Sequence, residues 1–280
     1  MIRDEESFDA LVGQIRNFVR DVAIPNEDKV EAEDAIPADV VERLKQLGSF
    51  GWSIPEEFGG AGLTSEELAI AFMEFTQCSV AFRVYGGQNA GIGSECIIRD
   101  GTDEQKRNYL PRLASGELIG CLALTEPTAG SDATAMKSRA KKVDGGYIIN
   151  GAKCYITLAP VADLFTIFAR TEGERGGRGV TAFIVERGTE GLSTSGSTPK
   201  MGQEGAPIGE VFMDDMFVPD KAVLGEVEGM GFKTVMKALN KQRINLSALS
   251  TGPAIRMLDD AVAYAKERRQ FDKAIGEFQL

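Results

Sequence analysis

Cys121-Leu-Ala-Leu-Thr-Glu-Pro-Thr-Ala-Gly-Ser-Asp132 is the stretch on which the reading of this chain turns. Cys121 to Leu124 read as a strand, and the strand runs into a turn packed with small and hydroxylic residues. Pro127 has no N–H to give a ladder and ends it. Gly130 lets the backbone approach a neighbour closely. Thr125 and Ser131 add hydroxyls beside several free backbone N–H groups. Such a turn can hold a flat polar ring system or a phosphate. By composition alone it also reads as an ordinary β-turn.

Upstream, the chain is helical. Phe8, Leu11, Val12, Ile15, Phe18, Val19 and Val22 fall on one helix face, and Pro25 is expected to stop that helix. A second helix is predicted from about residue 38 to 47, with Val40, Val41 and Leu44 inward. A glycine-rich loop follows Trp52. Thr64 with Glu67, and Thr102 with Gln105, have the spacing of capping boxes and open two further helices. Residues 1–118 therefore form an α-helical domain.

Downstream, from 119 to about 225, the pattern is short strands and tight turns. Asp144-Gly145 and Asn150-Gly151 are hairpin dipeptides. The runs 164–170, 179–186 and 209–218 add strands bounded by Gly, Asp or Pro. The expectation is a small antiparallel barrel or sandwich, with residues 171–179 a polar, mobile loop. A third, helical domain begins at 226 and runs to 280; helix returns in it after Gly231, with Ile255, Leu258, Val262 and Ala265 as its inward stripe and a kink or break at Gly252-Pro253. The fold class is α+β, in the order α, β, α. The last residues carry no stop signal, so the final helical bundle reads as incomplete.

Composition narrows the chemistry. A length of 280 residues suits about two domains. The net charge of −11 argues against nucleic acid and anionic membrane surfaces. With no histidine, Ser–His and Cys–His nucleophiles and His-based metal sites are excluded, and no metal is expected. Cys78, Cys96, Cys121 and Cys154 form no CxxC pair and read as buried thiols in a reducing compartment. No run of about 18 apolar residues offers a membrane span. The acidic N-terminus lacks a targeting signal, so cytoplasmic residence is the default.

The segment Thr125-Glu-Pro-Thr-Ala-Gly-Ser-Asp132 resembles the flavin-binding signature of the acyl-CoA dehydrogenase family. Three other stretches resemble family segments in the same order: Pro55-Glu-Glu-Phe-Gly-Gly-Ala-Gly62, residues 101–120, and Tyr264-Ala-Lys-Glu-Arg-Arg-Gln-Phe271 with its continuation to Gln279. The resemblance implies the family's helical, β and helical domains. It implies FAD as cofactor, an acyl-CoA substrate oxidised to a trans-2-enoyl-CoA, an electron-transfer flavoprotein as electron acceptor, and a homo-oligomer, dimer or tetramer.

The resemblance also assigns roles. Leu122, Leu124, Thr125, Gly130 and Ser131 would contact the flavin, with Ser131 also near the CoA side. Tyr155-Ile156-Thr157 stands where the family usually has a triplet beginning with Trp. Arg268, Phe271 and Gln279 match positions that bind the flavin's diphosphate and adenosine, usually in the neighbouring subunit. Asn240 and Arg243 match the acyl-CoA pocket. The catalytic base is expected beyond Leu280, because most members supply a late Glu. A minority place the Glu just before the pocket arginine, where this chain has Gln242, and an amide cannot take the proton. Two other readings remain open at this point. One is an acyl-CoA oxidase on the same scaffold. The other is a non-catalytic flavin or acyl-CoA binding subunit.

Overall fold

The structure, a computed structural model, describes residues 2–171 and 176–278. Part of the predicted 171–179 loop, Gln279 and Leu280 lie outside the described residues. α1 (Glu5–Phe18) is capped by the Asp4 carboxylate and buries Phe8, Val12, Ile15 and Phe18. Pro25 does not end the helical path as expected. The chain widens into a π turn, passes Pro25 in a 3₁₀ turn, and continues as α2 (Glu27–Glu33). Proline is tolerated there because a first helical turn leaves its N–H unused. α3 (Ala38–Gln46) turns Val40 and Leu44 inward. α4 (Ser65–Phe75) opens with the predicted Thr64–Glu67 capping box. α5 (Val80–Gly86) and α6 (Ser94–Asp100) follow, and α7 (Asp103–Ala114) opens with the Thr102–Gln105 box. Trp52 and Phe75 meet edge to face at 5.5 Å in the centre of this helical core.

The β region is one seven-stranded sheet. Its strands are β1 (Gly120–Ala123), β2 (Arg139–Val143), β3 (Gly146–Thr157), β4 (Leu164–Thr171), β5 (Val180–Glu186), β6 (Leu192–Thr194) and β7 (Ile208–Pro219). The sheet curls, so that Phe165, Ile167 and Phe183 share one cluster with Ile149, Met213 and Met216 from its other half. Alternate residues Leu164 and Phe168 face the helices, against Leu110, Leu113 and Val235.

The sheet is not purely antiparallel. β1 and β2 run parallel to β4 and lie one after the other along it, Ala123 opposite Ile167 and Arg139 opposite Arg170. Residues 124–138 are thus an excursion between two strands that keep the same direction. Asp144-Gly145 makes the predicted hairpin between β2 and β3. Asn150-Gly151 does not. It lies inside β3 as a bulge, held by a two-way hydrogen bond between the Asn150 side chain and Asp215. Gly151 at φ +150° packs so closely on Ser138 that a Cβ would sit 2.2 Å from its hydroxyl.

α8 (Gly231–Glu267) runs through Gly252-Pro253 without the expected break. Hydroxyls of Ser247, Ser250 and Thr251 bond back to carbonyls four residues earlier along this stretch. Gly252 lets α8 press on α4, since a Cβ there would lie 2.1 Å from Thr76 Oγ1. The buried side of α8 is Thr234, Val235, Ala238, Asn245, Ala248, Leu249 and Gly252. The expected inward stripe holds only in part: Ile255 and Ala265 are half-buried, whereas Leu258 and Val262 are exposed, because the second half of α8 has little packed against that face. The predicted helix through Phe271 ends at Glu267. A hairpin of β8 (Arg269–Gln270) and β9 (Lys273–Ala274) replaces it, with Phe271 and Asp272 at positive φ in its turn.

Candidate functional site

The excursion 124–138 and the end of β3 are brought together by direct bonds. The Cys154 N–H donates to the Thr125 carbonyl at 3.0 Å. Lys153, fully buried, donates from Nζ to Glu126 Oε1 at 2.8 Å and to the Leu124 carbonyl at 3.2 Å. Glu126 also accepts the backbone N–H groups of Lys137 and Ser138, which close the excursion. Burial pushes the Glu126 carboxyl up. The Lys137 N–H, Lys153 and Ser138 outweigh it and hold the carboxyl below its ordinary value. Burial lowers the Lys153 ammonium, and Glu126 opposes that shift.

The predicted residues on these two segments differ in exposure. Leu124 is buried beneath the excursion, Leu122 and Thr125 are half-buried, and Gly130 and Ser131 are exposed. A Cβ on Gly130 would meet only Thr125 Cγ2, at 4.0 Å, so the turn stays open at this point. On β3, register shifts between Lys153 and Ile156, and Tyr155 takes φ +57°. That left-handed step turns the Tyr155 ring outward, 73% exposed, between buried Cys154 and Ile156. Thr157 is half-buried beside them. The edge therefore combines a bare aromatic ring, hydroxyls and an open glycine turn, which is the donor set and shape a flat heteroaromatic ring needs.

On α8, Arg243 and Asn240 are exposed and bonded to each other, Nη1 to Oδ1. Gln242 turns the other way and accepts from Asn245 Nδ2 at 3.2 Å. Arg268 caps the end of α8, where its N–H donates to the Tyr264 carbonyl at 2.8 Å and its carbonyl accepts from the Ile275 N–H, and Phe271 lies in the hairpin turn; both are exposed. Gln279 lies outside the described residues.

Comparison with known proteins shows the family. Residues 5–117, 121–216 and 229–280 match the acyl-CoA dehydrogenase N-terminal, middle and C-terminal domains in turn. The chain belongs to the acyl-CoA dehydrogenase family. It is 37% identical to a mitochondrial isovaleryl-CoA dehydrogenase of Solanum tuberosum, over 95% of this chain and 65% of that protein. It thus spans just under two thirds of that relative's length. Among solved structures, the butyryl-CoA dehydrogenase of Megasphaera elsdenii superposes with a TM-score of 0.93 at 30% identity, covering all of this chain and 74% of that one. An acyl-CoA dehydrogenase from Bacillus anthracis complexed with FAD superposes with a TM-score of 0.89 at 32% identity, over 99% of this chain and 46% of that one.

Sequence reasoning missed the brace behind the acyl-CoA dehydrogenase signature. Lys153 sits in an alternating strand and reads as a solvent-facing charge. Only the three-dimensional pairing with Glu126 buries it. Among the described residues, no helix is long and apolar enough to cross a membrane.

Proposed function

We propose that this chain carries the flavin and acyl-CoA sites of an enzyme that oxidises an acyl-CoA thioester to the trans-2-enoyl-CoA with FAD and passes the electrons to an electron-transfer flavoprotein. The observation that carries the reading is the Cys154–Thr125 bond. It ties together the two segments assigned to the flavin, and the Tyr155 ring next to Cys154 is bare.

FAD fits this edge, and when bound it would supply the acceptor for the hydride equivalent leaving the acyl chain. The chain's own residues bind and orient. The Thr125 hydroxyl and the N–H groups of the 125–131 turn would bond the polar edge of the flavin and stabilise negative charge there. Tyr155, Ile156 and Thr157 would cover one face of the ring. Asn240 and Arg243 would meet the thioester, with Ser131 toward its CoA side. In an assembled dimer or tetramer, Arg268, Phe271 and Gln279 would reach the diphosphate and adenosine of a neighbouring subunit. An Arg fork suits a diphosphate.

No proton acceptor is assigned within residues 1–280. Glu126 is committed to Lys153, and Gln242 is an amide. That substitution supports a second reading, a flavoprotein subunit that binds acyl-CoA without oxidising it. Anaerobic addition of acyl-CoA to the purified full-length flavoprotein tests both. Bleaching of the flavin supports the dehydrogenase, and stable colour with tight binding supports the subunit. Peroxide formed on turnover in air would mark an oxidase. A full-length protein that takes up no FAD ends all three.

A further inference from the structure

The turn Asn89–Gly93, between α5 and α6, stands between the two halves of the proposed site. One side of it meets α8. A Cβ built on Gly91 would lie 3.0 Å from Gln242 Oε1. Gln242 directly precedes Arg243 and follows Asn240 by two positions, and these are the residues proposed to meet the thioester. The other side meets the root of β1. A Cβ on Gly93 would lie 2.7 Å from the Gly120 carbonyl oxygen, and one on Gly120 would lie 2.7 Å from that of Gly93. From Gly120 the chain runs through Leu122 to Leu124, the first residues proposed to touch the flavin.

One side chain fastens this junction. Asn89 is fully buried and carries the only polar side chain of its turn. Its Nδ2 donates to the Leu118 carbonyl at 2.7 Å and to the Leu113 carbonyl at 2.9 Å. Its Oδ1 accepts the Gly120 N–H at 2.8 Å. Two carbonyls and one N–H around the amide leave it a single orientation. Leu113 lies at the end of α7 and Gly120 begins β1, so the turn is tied to both elements. The Ser94 hydroxyl bonds to the Asn89 carbonyl and holds the residue from behind.

The neighbouring Ile119 is secured from the opposite side. Its N–H donates to Asp163 Oδ2 at 2.9 Å, and its carbonyl accepts the Asp163 N–H at 2.8 Å. Asp163 thus fixes the root of β1 to the sheet, whereas Asn89 fixes it to the turn that faces α8.

We propose that Asn89 is a positioning residue for the reaction: it holds the wall on the acyl side and the strand on the flavin side at one separation, and so aligns the bound acyl chain with the flavin. It touches neither group. The inference rests on the proposed acyl-CoA and flavin sites. Alignment is where such a residue acts on the rate, since a displacement of about 1 Å between reacting groups costs about 100-fold.

The test replaces Asn89 in the full-length, FAD-loaded protein. Asn89→Asp is nearly isosteric and keeps an acceptor toward Gly120, but it turns an oxygen on two carbonyls. Asn89→His retains one donor and one acceptor. Butyryl-CoA, isovaleryl-CoA and glutaryl-CoA are screened on the unmodified protein, and the fastest is carried forward. Anaerobic stopped-flow gives the saturating rate of flavin reduction per bound flavin, and its concentration dependence gives the acyl-CoA affinity. In Asn89→Asp the saturating rate is expected to fall about 10- to 100-fold while the affinity stays within about 3-fold. Asn89→His is expected to lie between. Thr102→Ala, which weakens the far end of α7, controls for lost stability and is expected to keep the wild-type rate per flavin. If both Asn89 variants reduce within about 2-fold of wild type per bound flavin, the residue is merely structural and the inference is overturned. Failure of both to take up FAD overturns it too, since Asn89 is then needed for folding. Either result leaves the proposed function standing. If none of the three thioesters reduces the unmodified flavoprotein, the proposed function falls and the inference with it.

Discussion

Replacing Lys153 by Met tests the brace that sets the site's geometry. Lys153 is fully buried, and its ammonium bonds to Glu126 and to the Leu124 carbonyl. Met keeps most of the volume but leaves the Glu126 carboxylate with only the Lys137 and Ser138 N–H groups. Removing one partner of a buried pair costs about 3–5 kcal/mol. The two surviving backbone bonds put this case at the low end, about 3 kcal/mol. For a chain of this size that is a fall in Tm of roughly 6–12 °C. Lys153→Met with Glu126→Gln removes both charges and is expected to recover about half of the loss. Urea and thermal unfolding of the full-length protein measure the stability, and flavin fluorescence measures FAD affinity. Because the brace holds both segments proposed to bind the flavin, affinity is expected to fall about 10-fold, or ~1.4 kcal/mol. A Lys153→Met protein within ~1 kcal/mol of wild type, binding FAD equally well, would refute this account of the site.

Other outcomes follow from single positions. Tyr155→Gly relieves the positive φ and removes a ring that is 73% exposed. Stability is expected to hold within about 0.5 kcal/mol, while FAD affinity drops several-fold in a fluorescence titration. Gly252→Ala drives a methyl to 2.1 Å from Thr76 Oγ1 where α4 crosses α8, and should cost about 1–3 kcal/mol in urea unfolding. Thr102→Ala loses half of a capping box on α7 and should cost about 1 kcal/mol. Acid dependence follows from Glu126, whose folded pKa is depressed. Its stabilisation is present above the unfolded value of about 4.3 and is lost as pH falls through the folded one. The stability gap between wild type and Glu126→Gln is therefore expected to narrow as urea midpoints are taken from about pH 5 to about pH 3.

Much of this protein is written in local sequence. Capping boxes at Thr64 and Thr102 set where helices start, because an N-cap hydroxyl and an N3 side chain satisfy the same few N–H groups in any context. Asp144-Gly145 sets a hairpin because its backbone geometry suits those residues. The signature at 125–132 points to the proposed flavin site for a similar reason, since its chemistry is that of one continuous turn. Other features depend on partners far along the chain. Asn150-Gly151 has the same local preference as Asp144-Gly145, yet Asp215 and Ser138 hold it inside a strand. Pro253 stays within α8, where packing on α4 and hydroxyl bonds support the helix. The direction of β1 and β2 along β4 and the burial of Lys153 against Glu126 each join residues tens of positions apart. Periodicity reports which face a residue prefers. It carries no information about what stands opposite that face, and for a buried charge the opposite group decides everything.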